Sequence, residues 1–193
     1  MIVGLTGGMG CGKSTAATRF AAHGFLAIDS DAVVRDIVLQ EPEVIAAIRN
    51  RFGDEVLSPD GAVDRRRLGH VVFADPPSLR WLEDLVHPRV FAHWRARLDA
   101  EPSNSWVVEV PLLFEKGLQN WFDFTVAVAS HPILQLARLE QRGLPPRLAR
   151  QRILQQLPLA QKIKSADFVL LNDGSLEFLS QQVARLVSLL NTL

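Results

Sequence analysis

Eight residues near the start of the chain, Gly7-Gly8-Met9-Gly10-Cys11-Gly12-Lys13-Ser14, follow the spacing G-x-x-x-x-G-K-[ST]. Glycines let a backbone wrap with positive φ and approach a phosphate without a Cβ clash. The N–H groups of such a turn point inward and form an anion nest. The helix expected to open at Lys13 adds the partial positive charge of its N-terminus. Lys13 then sets an ammonium on the β- and γ-phosphates of a nucleotide, and Ser14 offers its hydroxyl to Mg2+. Thr15 is expected to reach toward the α-phosphate, and Gly8, Gly10, Cys11 and Gly12 to act through their backbone. For the Cys11 thiol itself the alternative is a redox role.

Three further groups suit phosphoryl transfer. Asp29-Ser30-Asp31 end the second expected strand, and strand C-termini face the ligand crevice of an open α/β sheet. A carboxylate there can accept or orient the proton of an attacking hydroxyl; helix capping by Ser30 or Asp31 is the plainer reading. Glu109 closes the apolar run Trp106-Val107-Val108 and resembles a carboxylate that holds Mg2+ or its waters, with an exposed strand-end charge as the alternative. Arg138 and Arg142 stand four apart and share a helical face. Guanidinium forks stabilise the charge that phosphoryl transfer spreads over oxygens, and a closing segment that carries them also excludes water. Arg147 and Arg150 read as surface charge.

These groups need a frame. Residues 2–5, 25–28, 106–110, 124–129 and 168–171 are apolar runs of strand length, and residues 13–23, 132–142, 147–156 and 176–190 have helical periodicity. Residues 31–104 read as mostly helical, with the helix over 79–98 interrupted at His87-Pro88 because proline cannot continue a regular helix. Strand–helix alternation predicts an α/β fold: a P-loop NTPase core with a five-stranded parallel sheet and helices on both faces. All 193 residues are expected in one domain. Residues 1–30, 105–137 and 166–193 form its nucleotide-binding core, 31–104 a helical acceptor-binding insertion and 138–165 a lid.

Composition narrows the partners. Lys and Arg number 21, as do Asp and Glu, so no global field gathers nucleic acid or anionic membrane. The single cysteine rules out an internal disulfide framework. No apolar run approaches the roughly 18 residues of a membrane span, and the expectation is a soluble, cytoplasmic protein, monomer or small homo-oligomer. A guanine-specific N-K-x-D motif is missing near the fifth strand, where Leu171-Asn172-Asp173-Gly174 stands.

Taken together the motifs resemble dephospho-coenzyme A kinase over almost the whole chain. The stretch from Gly4 to Ser14 is similar to the family's opening, and Ile28-Asp29-Ser30-Asp31 to its D-x-D segment, with Ser30 where a small Ala is usual. Arg65 to Leu68 followed by Val72-Phe73, Leu85-Val86-His87-Pro88, Pro111-Leu112-Leu113-Phe114-Glu115, and Gln135, Arg138 and Arg142 match further family segments. Arg152, Gln156 and the run from Ala166 to Gly174 match its closing segment. The resemblance implies transfer of the γ-phosphoryl of ATP to the ribose 3′-hydroxyl of dephospho-coenzyme A, giving coenzyme A and ADP, the last step of coenzyme A synthesis. It implies Asp31 as the base, acting with Lys13, Arg138 and Arg142, and Asn172 and Gly174 near the nucleotide base. Asp29, Arg65, His87, Leu113 and Glu115 become candidates for the acceptor, although His87 also reads as a helix-breaking position and Leu113 as core. A nucleoside or nucleoside monophosphate kinase of the same fold is the alternative function, and a nucleotide-dependent regulatory protein a more distant one.

Overall fold

Short apolar runs become strands where helices can cover them, and the described residues form five. They are β1 (Ile2–Gly7), β2 (Leu26–Asp29), β3 (Trp106–Glu109), β4 (Phe124–Ala129) and β5 (Phe168–Leu171). All pair in parallel, in the order β2-β3-β1-β4-β5. The computed structural model describes residues 1–192. It divides into two compact units, Met1–Asp29 with Pro102–Leu193, and Ser30–Glu101.

In the first unit α1 (Lys13–Ala21) and α9 (Leu176–Leu190) pack together over the sheet. Leu179, Val183, Leu186, Val187 and Leu190 recur at helical spacing and face Val3, Leu5, Val126, Val128 and Leu170 of the strands. α1 stops where the N–H groups of Gly24 and Phe25 return to the carbonyls of Ala21 and Phe20, the hydrogen-bond pattern of a Schellman close. Phe25 then meets Phe20 edge-on at 5.3 Å between ring centroids. α6 (Pro132–Gln141) and α7 (Pro146–Leu154) pack on each other, and α8 (Leu159–Ser165) lies on β1 and β4. α8 is too short for periodicity to reveal, and the sequence reading missed it.

The second unit contains α2 (Ser30–Asp36), α3 (Pro42–Phe52), α4 (Arg65–Ala74) and α5 (Pro76–Ala100). α2, α3 and α4 each contact α5. Asp64 caps α4 by accepting from the N–H groups of Arg66 and Arg67. The expected break at His87-Pro88 is corrected here: α5 runs through Pro88. Val86, Val90 and Trp94 form one buried stripe across the proline, so tertiary packing holds both flanking turns in line. The Arg89 guanidinium also donates to the Leu85 carbonyl at 2.8 Å, next to the ladder position that proline leaves open. Among the described residues no helix is long and apolar enough to cross a membrane.

The sheet order decides where a ligand crevice lies. From β1 the chain moves to one side, through β2 and back to β3; from β3 it crosses to β4 on the other side. The switch falls between β1 and β3, and the crevice beyond their C-terminal ends is the ligand site of open α/β sheets. The glycine-rich turn leaves β1 there, and Glu109 ends β3 there.

Candidate active site

The turn between β1 and α1 is built around close approaches that exclude side chains. Gly12 has φ +90, and a Cβ on it would run into Asn172 Nδ2. A Cβ on Gly10 would sit 2.7 Å from the Gln135 backbone oxygen. Gly8, Gly10 and Cys11 are buried; Gly12, Lys13 and Thr15 are half-buried, and Ser14 is exposed. The Lys13 ammonium lies across the turn, donating to the carbonyls of Gly7 at 3.3 Å and Gly8 at 3.4 Å. Those two bonds hold the charge against the first carbonyls of the loop, and the N-terminus of α1, where Lys13 itself begins the helix, favours an anion.

Ser14 Oγ donates to Glu109 Oε2 at 3.0 Å. Glu109 is only 7% exposed, so the exposed strand-end alternative does not hold. Asp29 is the register partner of Glu109 on the neighbouring strand, and residues paired in parallel strands point to the same face. A hydroxyl and a buried carboxylate at the mouth of a phosphate loop are hard oxygen donors of the kind Mg2+ takes, together with substrate phosphates and water. Asp31 falls in the first turn of α2, two residues beyond the end of β2 in the chain, and is exposed.

Several side chains expected to meet ligands brace the loop in this structure. Asn172 is buried; its Nδ2 donates to the Cys11 carbonyl at 2.9 Å. Arg138 Nη2 donates to the Asn172 carbonyl at 2.7 Å, and Nη1 to Ser130 Oγ at 2.7 Å and the Gly10 carbonyl at 3.4 Å. Arg138 thus reaches the loop from α6 with much of its donor fork already engaged, and Arg142 stands exposed at the end of that helix. Buried Gln135 donates to the Ser130 carbonyl at 2.7 Å. Ser130, directly after β4, is the partner that sequence reasoning missed; its only signal was its place at a strand C-terminus. Gly174 lies exposed in the turn after β5. Cys11 is fully buried, and that burial pushes its thiol up against the opposing pull of the Lys13 ammonium. A buried neutral thiol is a poor nucleophile, which argues against the redox alternative.

The acceptor candidates separate in the same way. Leu113 is 0% exposed, and its Cδ1 would lie 2.8 Å from a Cβ on Gly4. It is a core residue, which corrects its assignment to the acceptor: β1 and the turn after β3 close over it. Leu113→Ala is expected to lower stability by about 2–5 kcal/mol. The check is a melting curve beside the acceptor KM; a KM change with unaltered melting would restore the ligand-contact role. Glu115 is 16% exposed and pairs with Lys162 at 2.8 Å. In the second unit, Arg65 is exposed at the start of α4, close enough to Asp36 to help Arg35 hold that carboxyl below the usual range. His87 is half-buried and stacks on Phe91 at 5.9 Å between ring centroids.

Comparison with known proteins bears on what such a site does. The family model described as Dephospho-CoA kinase matches residues 1–177. A dephospho-CoA kinase of Thermosynechococcus vestitus is 42% identical over 190 residues, covering 97% of this chain and 94% of its own. The fold superposes on a crystal structure of a Thermus thermophilus protein with TM-score 0.85 and 33% identity, covering 97% and 96% of the two chains. A dephospho-CoA kinase from Campylobacter jejuni superposes with TM-score 0.70 and 25% identity, covering 97% and 95%.

Proposed function

Because the chain belongs to the dephospho-CoA kinase family, we propose that it transfers the γ-phosphoryl of ATP to the ribose 3′-hydroxyl of dephospho-CoA in CoA biosynthesis. The observation that carries this reading is the phosphate turn at the switch point between β1 and β3. Its lysine is held over the loop by two carbonyls, and its serine is bonded to a buried carboxylate.

The chemistry asked of the protein is positioning and charge stabilisation, because the transferred phosphoryl passes through a loose transition state with its charge on the oxygens. In this mechanism the loop amides and Lys13 hold the triphosphate. Ser14 and Glu109 would hold Mg2+, with Asp29 beside Glu109 on the same face. Bound Mg2+ supplies neutralisation of charge on the β- and γ-oxygens. Asp31 orients the acceptor hydroxyl and takes its proton. Arg138 keeps the loop in shape, its remaining N–H groups being available to the nucleotide. Arg142, exposed, supplies a guanidinium to the transferring group when the segment around it closes. Arg65 and His87, from the helical unit, would serve the long acceptor, Arg65 as a partner for its diphosphate. Thr15, Gly174 and the backbone of Cys11 complete the nucleotide contacts. A cytoplasmic location, where the reaction's nucleotide co-substrate is at hand, is part of the same proposal.

The deciding experiment is ADP release by the purified protein with ATP, Mg2+ and one acceptor at a time: dephospho-CoA, AMP, CMP or shikimate. Turnover is expected with dephospho-CoA alone. Comparable kcat/KM with AMP or CMP would move the assignment to a nucleoside monophosphate kinase.

A further inference from the structure

Lys162 is fully buried, which is costly for an ammonium, and its surroundings show what holds it there. On α8 it donates to the Pro111 carbonyl at 2.7 Å and pairs with Glu115 Oε1 at 2.8 Å. The same Glu115 oxygen accepts the Leu157 N–H at 2.9 Å. The neighbour of Leu157, Gln156, accepts the Met9 N–H of the phosphate turn on its Oε1 at 3.2 Å. The Pro111 carbonyl also receives Thr6 Oγ at 3.4 Å, one residue before the turn begins. One buried charge therefore ties the residues after β3 to the stretch between α7 and α8, and that stretch touches the tip of the phosphate turn.

We propose that Lys162 is a positioning residue: with Glu115 it clamps Leu157 and so seats the Gln156 carboxamide on the Met9 amide, which pre-forms the phosphate turn for ATP. An apolar side chain would fill the inner face of α8 with less desolvation, since exchanging a buried ion pair for hydrophobic residues is often neutral or stabilising. The ion pair gives what an apolar pair cannot, a fixed acceptor for the Leu157 N–H. Fixing the peptide at Met9 lowers the ordering cost of binding, which is how preorganisation raises affinity. This assigns Glu115 to the clamp rather than to the acceptor, and it rests on the proposed phosphate role of the turn.

The test measures equilibrium binding of Mg-ATP by calorimetry with no acceptor present, alongside melting curves. The proteins are the wild type, Gln156→Ala, the paired variant Lys162→Met/Glu115→Leu, and the triple variant. Gln156→Ala is expected to weaken ATP about fivefold, the value of one neutral hydrogen bond. The paired variant should melt near the wild type and lose at least as much affinity. The triple variant should lose no more than the paired one, because the two changes act through one contact. Losses that multiply, or a paired variant that binds like the wild type, would reduce Lys162 to a fold-holding role and overturn the proposal. Should the paired variant not fold, Glu115→Ala, which removes the Leu157 acceptor, takes its place under the same requirement. A wild type that binds no Mg-ATP would instead refute the phosphate role of the turn, a separate failure.

Discussion

Asp31→Asn is expected to lower kcat by about 10²–10⁴, the range of a positioned general base, while leaving ATP affinity near the wild-type value. The amide keeps the size of the carboxyl and can still accept a hydrogen bond through its carbonyl oxygen, so orientation of the hydroxyl is partly preserved. What it cannot do is take the proton. Asp31 is exposed in the first turn of α2, so the substitution removes no core packing and the melting temperature should hold. The position also separates the two readings of Asp29-Ser30-Asp31. The helix begins at Ser30, and Asp31 falls inside its first turn. A capping role would show as lost stability with kcat intact; a base shows the reverse. Steady-state kinetics with a binding measurement on the same protein decides, and near-full kcat would remove Asp31 from the chemistry.

Lys13→Ala should cost more in kcat/KM, because ATP binding is lost with it. The ammonium is held at the loop by the Gly7 and Gly8 carbonyls, and in the proposed mechanism it grips the phosphates from there. Removing a preorganised donor at developing charge costs about 10²–10³ in kcat, or about 2.7–4 kcal/mol, and Lys13 adds a full positive charge and part of the ground-state grip on ATP. Both kcat and kcat/KM should fall, the second further, because binding and transition-state terms are lost together. Lys13→Arg should not rescue the activity: a planar fork does not replace a compact ammonium between two carbonyls. Turnover within tenfold of the wild type in the alanine variant would contradict the phosphate-cradle role.

The central strands β1, β3 and β4 were legible because each is an apolar run buried almost throughout, and the edge strands β2 and β5 because they are apolar runs too, although Ala27, Val169 and Leu171 are exposed; β4 and β5 match their expected bounds while β1, β2 and β3 shift at their ends. The loop was legible because its chemistry demands particular residue types at fixed spacing. Side-chain direction was not. Arg138 and Asn172 have the right types for nucleotide contacts, and the structure shows them also bonded to backbone carbonyls in and around the loop, a bracing part that no spacing rule reveals. Leu113 was ambiguous between ligand wall and core for the same reason, and burial resolves it. Pro88 misled because local propensity was outweighed by the packed stripe of Val86, Val90 and Trp94. Lys162 looked like one more surface cation after a run of arginines; only the placement of α8 on β1 and β4 puts it inside.

Where the γ-phosphoryl goes is the most direct measurement. Wild-type protein given ATP, Mg2+ and dephospho-CoA should yield, by 31P NMR, a new phosphomonoester coupled to the ribose 3′ proton in step with ADP. Inorganic phosphate appearing in place of that ester, at a rate indifferent to the acceptor, would show that the loop merely hydrolyses its nucleotide and that no alcohol is held opposite it.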